Sequence, residues 1–158
     1  MKHLWTKVFP LLTCLFFVAC SSASKLGDVT VDIIEFGSAV SEAKFNVTLR
    51  YVNGNVFPMA IGETRSKLYL NNEYVGTVVQ EGPIGIPQIG TVTKPALLTI
   101  EKMDAFQKVR SSPDESAAFR LQTVMRLQVS EDKSRIFSNT SGQLSLAALR
   151  NPAPEKKS

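Results

Sequence analysis

Alternation of hydrophobic and polar residues is the strongest pattern along the chain. Phe45, Val47, Leu49 and Tyr51 are each followed or preceded by a polar residue, and residues 119–129 repeat the same period of two. Successive side chains of a β-strand point to opposite faces of a sheet, so this period predicts strands with one buried face. Both runs are long enough for a sandwich or a barrel.

Shorter apolar runs predict the remaining strands, and turn residues separate them. Asn53-Gly54-Asn55 follows the first alternating run, and Asn71-Asn72 predicts a tight hairpin, because Asn and Gly tolerate the left-handed backbone of such turns. The further predicted strands are residues 29–36, 68–70, 74–79, 91–100, 135–137 and 142–149.

Residues 80–90 hold three glycines and two prolines, which predicts a long loop. Ile84, Ile86 and Ile89 are the apolar residues of this segment. Two interpretations remain open: the isoleucines pack onto the end of the core, which the apolar composition favours, or they form an exposed contact patch. In the second case they are the candidate contact residues for a partner.

Residues 102–109 are the only segment with a helical pattern, because Met103, Phe106 and Val109 recur at a spacing of three. Seven or eight short strands without alternating helices favour an antiparallel all-β fold. We therefore predict a fibronectin-III or immunoglobulin-like β-sandwich of about seven strands with one short helix. A closed barrel is the alternative.

The first twenty residues have the pattern of a secretory leader. Lys2 and Lys7 precede an apolar run over residues 8–18, and Ala19-Cys20 comes directly after it. The run has eleven residues, whereas a membrane-spanning helix needs about 20. We therefore predict a signal peptide.

The segment Phe17-Val18-Ala19-Cys20 resembles a bacterial lipobox, with Phe17 where leucine is usual. The resemblance implies that Cys20 receives fatty acyl chains such as palmitate, becomes the new N-terminus and tethers the protein to a membrane. The alternative is an ordinary secreted protein with a chance cysteine at the end of its leader.

The predicted division of the chain is a signal peptide (residues 1–19), a tether (20–27), a β-domain (28–149) and a disordered tail (150–158). The expected location is the cell envelope. Ser21 is not the aspartate of an inner-membrane retention signal, so in a cell with two membranes the outer membrane is expected.

Loss of the leader removes the single histidine and leaves Cys20 as the one remaining cysteine. The single histidine, His3, and Cys14 both lie before residue 20. A Ser-His-Asp or Cys-His site is then excluded, and so are His- and Cys-based zinc sites. The acidic pairs Asp114-Glu115 and Glu131-Asp132 fall in predicted loops as solvated charge. We predict no catalytic, cofactor-binding or metal-binding residue.

The formal net charge of +4 includes two lysines of the leader. The remaining excess is spread along the sequence, so a nucleic-acid partner is not expected.

The order of turns and hairpins is similar to that of the group-two late embryogenesis abundant proteins, the water-stress and hypersensitive-response domain. The resemblance covers residues 29–149 and rests on residues 52–58, 68–76 and 142–146, with Gly54 where that family usually has proline. It implies a fibronectin-III-like sandwich in a desiccation-related family without a known catalytic site. It also implies that Asn53 and Asn55 form a turn and bind no ligand.

Three functions are compatible with these patterns. The first is a membrane-anchored, non-enzymatic binding or protective lipoprotein with an envelope protein as its partner. The second is a carrier of an apolar ligand, such as a lipid, inside the fold. The third is an enzyme whose carboxylate pair is assembled from distant residues.

Overall fold

The computed structural model describes residues 29–128 and 134–150. The predicted leader, Cys20, the tether and the tail beyond residue 150 lie outside the described residues. The described elements are β1 (Val29–Ser41), β2 (Lys44–Asn53), β3 (Met59–Leu70), β4 (Glu73–Gln80), β5 (Ile84–Ile86), β6 (Gly90–Ile100), α1 (Met103–Arg110), β7 (Ser116–Leu127), β8 (Arg135–Ser145) and α2 (Leu146–Arg150). In the described part of the chain, no helix has the length and apolarity needed to cross a membrane.

The strands form one antiparallel sheet in the order β1-β2-β6-β4-β3-β7-β8, with β5 paired to β3. The sheet curls into a half-barrel, and its first and last strands, β1 and β8, come into contact. The predicted antiparallel all-β class with a short helix is confirmed. The two separate sheets of a fibronectin-III or immunoglobulin sandwich are not confirmed. β6 pairs with both β2 and β4, and it thereby joins one half of the sheet, β1-β2-β6, to the other half, β4-β3-β7-β8.

The seam between the two halves is short. β4 and β6 share only four residue pairs, from Gly76 opposite Ile100 to Val79 opposite Leu97. Gly76 lies so close to β6 that a Cβ atom at this position would be 2.1 Å from the carbonyl oxygen of Thr99. The absence of a side chain at Gly76 therefore lets the halves join.

The concave face of the sheet holds the core, and α1 closes one end of it. Phe106 and Val109 of α1 are buried, and the ring of Phe106 lies 5.3 Å from that of Phe45. The predicted helix is therefore confirmed at residues 103–110. Strand residues with a period of two supply much of the remaining core, among them Val31, Ile33, Val47, Leu49, Tyr51, Leu68, Leu70, Val78, Leu98, Leu121 and Met125.

β3 is much longer than the predicted residues 68–70. A β-bulge between Ile61 and Glu63 shifts the strand by one residue, so that its inward face changes from odd to even positions. Two of these inward positions are the polar residues Thr64 and Ser66, and Ser66 is hydrogen-bonded to Thr123 at 2.8 Å.

Two further predictions need correction. Residues 80–90 are not a continuous loop, because Ile84–Ile86 form β5 against Met59–Ile61 of β3. The predicted strand 142–149 ends at Ser145, and α2 comes next with Leu146 and Leu149 buried. Arg150, which the prediction gave to the tail, ends this helix.

Tyr51 places a hydroxyl group inside the core. Its side chain is fully buried, and burial raises the pKa of Tyr51 to about 12. The neighbouring Thr64 hydroxyl opposes this shift, although the two groups do not reach hydrogen-bond geometry and neither has another partner within the described residues. The ionised form of Tyr51 is therefore disfavoured in the folded protein.

We expect Tyr51→Phe to remove one source of alkaline destabilisation. The unfolded chain ionises this tyrosine near pH 10 and the folded chain only near pH 12, so stability present below pH 10 is lost as the pH rises through 12. The loss is roughly 2–3 kcal/mol. Urea unfolding at pH 9 and pH 12 measures it in the parent and the variant. Equal losses in both proteins would show that Tyr51 ionises as freely in the fold as outside it.

Candidate functional site

The convex face of three adjacent strands is strongly basic. β3, β7 and β8 carry the basic residues Arg65, Lys67, Arg120, Arg126 and Arg135, all exposed, against one acidic residue, Glu63. The resulting charge of +4 equals the formal net charge of the whole chain. The positive charge of the protein is therefore concentrated on this face, because the rest of the sequence has 13 basic residues, including Lys2 and Lys7 of the predicted leader, and 13 acidic residues.

Strand register brings these cations together. Arg126 lies opposite Glu63 on one side and opposite Arg135 on the other. Glu63 accepts from Arg126 at 3.2 Å and from Arg65 at 3.4 Å, and the two arginine side chains are 63% and 64% exposed. One carboxylate thus aligns two guanidinium groups while leaving most of each exposed to solvent.

An apolar strip runs between the cations. Val124 of β7 lies between Arg65 of β3 and Phe137 of β8 in the register, and Phe137 is 68% exposed. Two depressions, with volumes of about 400 and 220 Å³, share Arg65 and Val124 as lining residues. We call the surface of Arg65, Lys67, Val124, Arg126, Arg135 and Phe137 the basic groove.

Arg120 lies outside this groove. Its guanidinium group lies 4.5 Å from the centre of the Tyr69 ring, and Tyr69 in turn packs against Tyr74 with ring centres 5.5 Å apart. A cation over the face of an aromatic ring is attracted by the partial negative charge of that face, which partly balances the charge of the cation. Arg120 therefore adds to the positive electrostatic potential of the convex face but does not line the basic groove.

The expectation of unclustered charge is corrected by this geometry. Residues 65, 67, 126 and 135 are dispersed along the sequence, and only the pairing of β3, β7 and β8 makes them neighbours. The sequence did contain a signal, because basic residues occupy the polar positions of the alternating run around Arg120 and Arg126. Strand order was needed to interpret it.

The three isoleucines of the 80–90 segment have different environments. Ile84 and Ile86 are 1% exposed, so they pack onto the core, and their side chains are not available for direct contact with a partner. Burial occurs because β5 presents both residues inward against β3. Ile89 is 73% exposed and remains available. The predicted lipidation residue, Cys20, lies outside the described residues.

Asn53 and Asn55 have the turn-forming role that the resemblance implied. The Asn53 side chain is buried, and its amide group donates to the carbonyl oxygens of Phe57 and Pro87 at 2.9 Å each. Its carbonyl oxygen accepts from the backbone N–H and the side-chain amide of Asn55. These bonds hold the β2–β3 turn against the turn that precedes β6.

A carboxylate with two hydroxyl donors lies just before α1. Glu101 accepts from Tyr74 and Thr77 at 2.7 Å each. These bonds, with the positive charges of Lys67 and Arg65, hold the pKa of Glu101 below its usual range. Glu101 is therefore ionised and poorly suited to donate a proton. The described residues contain no group of three or more metal-ligating side chains.

Comparisons with known proteins define the class of fold. No protein-family model and no curated protein matches the chain. Among solved structures, a putative late embryogenesis abundant protein is 14% identical with a TM-score of 0.55, over 78% of this chain and 73% of that chain. A protein from Archaeoglobus fulgidus is 12% identical with a TM-score of 0.49, over 73% and 94% of the two chains. A protein from Arabidopsis thaliana is 13% identical with a TM-score of 0.47, over 80% of each chain.

The similarity to the putative late embryogenesis abundant protein, with a TM-score of 0.55, supports the resemblance drawn from the turn and hairpin sequences. The described residues form an all-β domain that is like a late embryogenesis abundant protein in fold. At 14% identity the similarity concerns the fold alone.

Proposed function

We propose that this protein is a lipid-anchored, non-enzymatic binding protein of the cell envelope, whose basic groove binds an acidic segment of another envelope protein. The observation that carries the proposal is the basic face of β3, β7 and β8, where Arg65, Lys67, Arg126 and Arg135 surround the half-buried Val124 and the exposed Phe137. A stress-protective setting is part of the proposal through the likeness to late embryogenesis abundant proteins.

The composition of the groove favours a peptide segment as the occupant. A small inorganic anion would use the guanidinium groups but leave Val124 and Phe137 in water. An extended peptide with acidic and apolar side chains satisfies both, because its alternating residues match the spacing of Arg126, Val124 and Lys67. The expected compartment, outside the cytoplasm, disfavours nucleic acid as the partner.

Site-specific cross-linking in intact cells tests this proposal. The photoreactive analogue p-benzoylphenylalanine replaces Phe137, whose ring is already exposed, and in a matched strain it replaces Ile34, which is 45% exposed on β1. We expect a protein adduct from position 137 and none from position 34. Adducts at both positions, or lipid as the only molecule joined at position 137, would contradict the proposal.

Charge reversal shows whether the adduct depends on the groove. Arg126→Glu combined with Arg135→Glu is expected to lower the adduct yield about tenfold or more, since each reversal replaces an attraction by a repulsion. The control combines Lys44→Glu with Lys102→Glu, two exposed lysines on other parts of the surface, and makes the same change in net charge. An equal loss in both double variants would indicate a long-range charge effect without a specific groove.

A further inference from the structure

Two turns expose apolar side chains at one end of the domain. Val56 and Phe57 of the β2–β3 turn are 73% and 37% exposed, and Ile89, just before β6, is 73% exposed. The backbone N–H of Ile89 donates to the carbonyl oxygen of Asn55 at 3.0 Å, so the two turns lie side by side. We call Val56, Phe57 and Ile89 the apolar tip.

The two turn segments that form the apolar tip carry no charge, although Arg126 and Arg135, near the end of β7 and at the start of β8, lie at the same end of the sheet. Residues 51–62 and 82–93 contain no Asp, Glu, Lys or Arg, although 20% of the whole chain is charged. Moving a charged side chain out of water is costly, whereas apolar side chains gain free energy at a lipid interface. The apolar tip, which combines uncharged segments with an exposed valine, phenylalanine and isoleucine, therefore meets both requirements for contact with lipid.

The chain enters the domain at this same end. Val29, the first residue of β1, lies opposite Asn53, the last residue of β2. Cys20 is nine residues before Val29, a distance of roughly 30 Å for an extended chain. The opposite end, with α1 and the Asn71-Asn72 hairpin, lies a further ten residues of β2 away, roughly 33 Å. A lipid on Cys20 would therefore attach the domain to the bilayer from the end that carries the apolar tip.

The outward position of Ile89 is held against the preference of its backbone. Ile89 has a φ of +44°, which a β-branched residue rarely adopts. Two interactions keep the turn in this form. The N–H of Ile89 is hydrogen-bonded to Asn55, and the Asn53 amide group donates to the carbonyl oxygens of both Phe57 and Pro87. Glycine or asparagine would suit this backbone better, so fold stability does not explain an exposed isoleucine here.

We propose that the apolar tip inserts into the interface of the bilayer that holds the Cys20 anchor. This inference rests on the acyl anchor of the proposed function and adds a second, non-covalent contact with the same membrane. Insertion through the tip directs the strands away from the bilayer. The basic groove extends along β3, β7 and β8 from this end of the sheet, so Arg126 and Arg135 would lie closer to the bilayer than Lys67.

Fluorescence from single cysteines tests the inference. The full chain is expressed as Val56→Cys, Ile89→Cys or Gln107→Cys, and the processed protein is purified from membranes. Cys14 leaves with the leader and the Cys20 sulfur is blocked by lipid, so the introduced thiol is the only one free for an environment-sensitive dye. The labelled protein is reconstituted into vesicles of phosphatidylethanolamine and phosphatidylglycerol.

We expect a blue-shifted emission at positions 56 and 89, with quenching by lipids that carry a spin label near the headgroup. Position 107, exposed on α1 at the opposite end, should show neither effect. Adding Val56→Asp to the Ile89→Cys protein should reduce the quenching, because the carboxylate resists transfer into the interface. Thermal unfolding shows whether each variant is folded. We expect the substitutions at positions 56 and 107 to be tolerated, because both side chains are exposed.

The mass of the N-terminal peptide separates the two ways in which the experiment can fail. If Cys20 is acylated and positions 56, 89 and 107 give the same emission and quenching, the apolar tip does not insert, and the proposed function is unaffected. If Cys20 carries no acyl chain, the anchor and the inference that rests on it are both overturned.

Discussion

Gly76→Ala is expected to destabilise the domain by about 3 kcal/mol or more, with a fall in Tm of roughly 10 °C. The added Cβ would lie 2.1 Å from the carbonyl oxygen of Thr99 and 3.1 Å from the Cα atom of Ile100. Both atoms belong to the backbone of β6, so no side-chain rotation relieves the overlap. The strands must separate where only four residue pairs join the two halves of the sheet.

Gly85→Ala is the matched control for this change. A Cβ at Gly85 meets no atom within 4 Å, and the backbone there is not in the left-handed region. Its stability should be unchanged or increased by up to about 1 kcal/mol, since alanine restricts the unfolded chain more than glycine does. Urea and thermal unfolding compare the two variants with the parent. A Gly76→Ala protein as stable as the Gly85→Ala protein would show that β4 and β6 do not pair as described.

The sequence predicted best those strands whose inward residues are all apolar. In β2, every second residue faces inward along the whole strand, and the predicted strand is present. Its inward residues include Phe45, Val47, Leu49 and Tyr51. β3 was predicted only at its end for two physical reasons. The bulge near Gly62 changes which positions face inward, and the inward residues Thr64 and Ser66 satisfy their hydroxyl groups only through tertiary contacts or leave them unpaired. Neither effect is visible in a pattern of hydrophobic residues.

Short elements were misassigned where one pattern fits two structures. Leu144, Leu146 and Leu149 extend an apolar run that suits a strand, yet the chain turns into α2 after Ser145. Arg150 helps to fix that helix by donating to the backbone carbonyls of Arg110 and Asp114 at 3.2 and 2.8 Å. These partners lie 40 and 36 residues earlier, so local sequence gives no indication of them.

The candidate surfaces also differ in how far local sequence predicts them. Asn53 and Asn55 are close in sequence, and their turn-forming role was predictable from the Asn-Gly-Asn motif. The basic groove combines residues from three strands and was not predictable without strand order. Ile84 and Ile89 are only five residues apart, but one is buried and the other exposed, because β5 ends at residue 86.

Cys20→Ser is expected to abolish acylation and cleavage before residue 20. The diacylglycerol is transferred to a thiol, and the serine hydroxyl does not replace it. At about 0.8 kcal/mol for each buried methylene group, several acyl chains on one residue hold a protein on a bilayer almost irreversibly. The parent should therefore stay in the membrane fraction after washing with high salt, because that treatment removes proteins held by charge alone.

Mass spectrometry of the mature N-terminus is the most direct test of the proposed anchor. We expect the N-terminal peptide of the parent to begin at Cys20 and to carry the additional mass of fatty acyl chains, and the Cys20→Ser protein to lack both features. A bare thiol at Cys20, in a protein that is cut and fractionates in the same way as its serine variant, would contradict the lipid anchor.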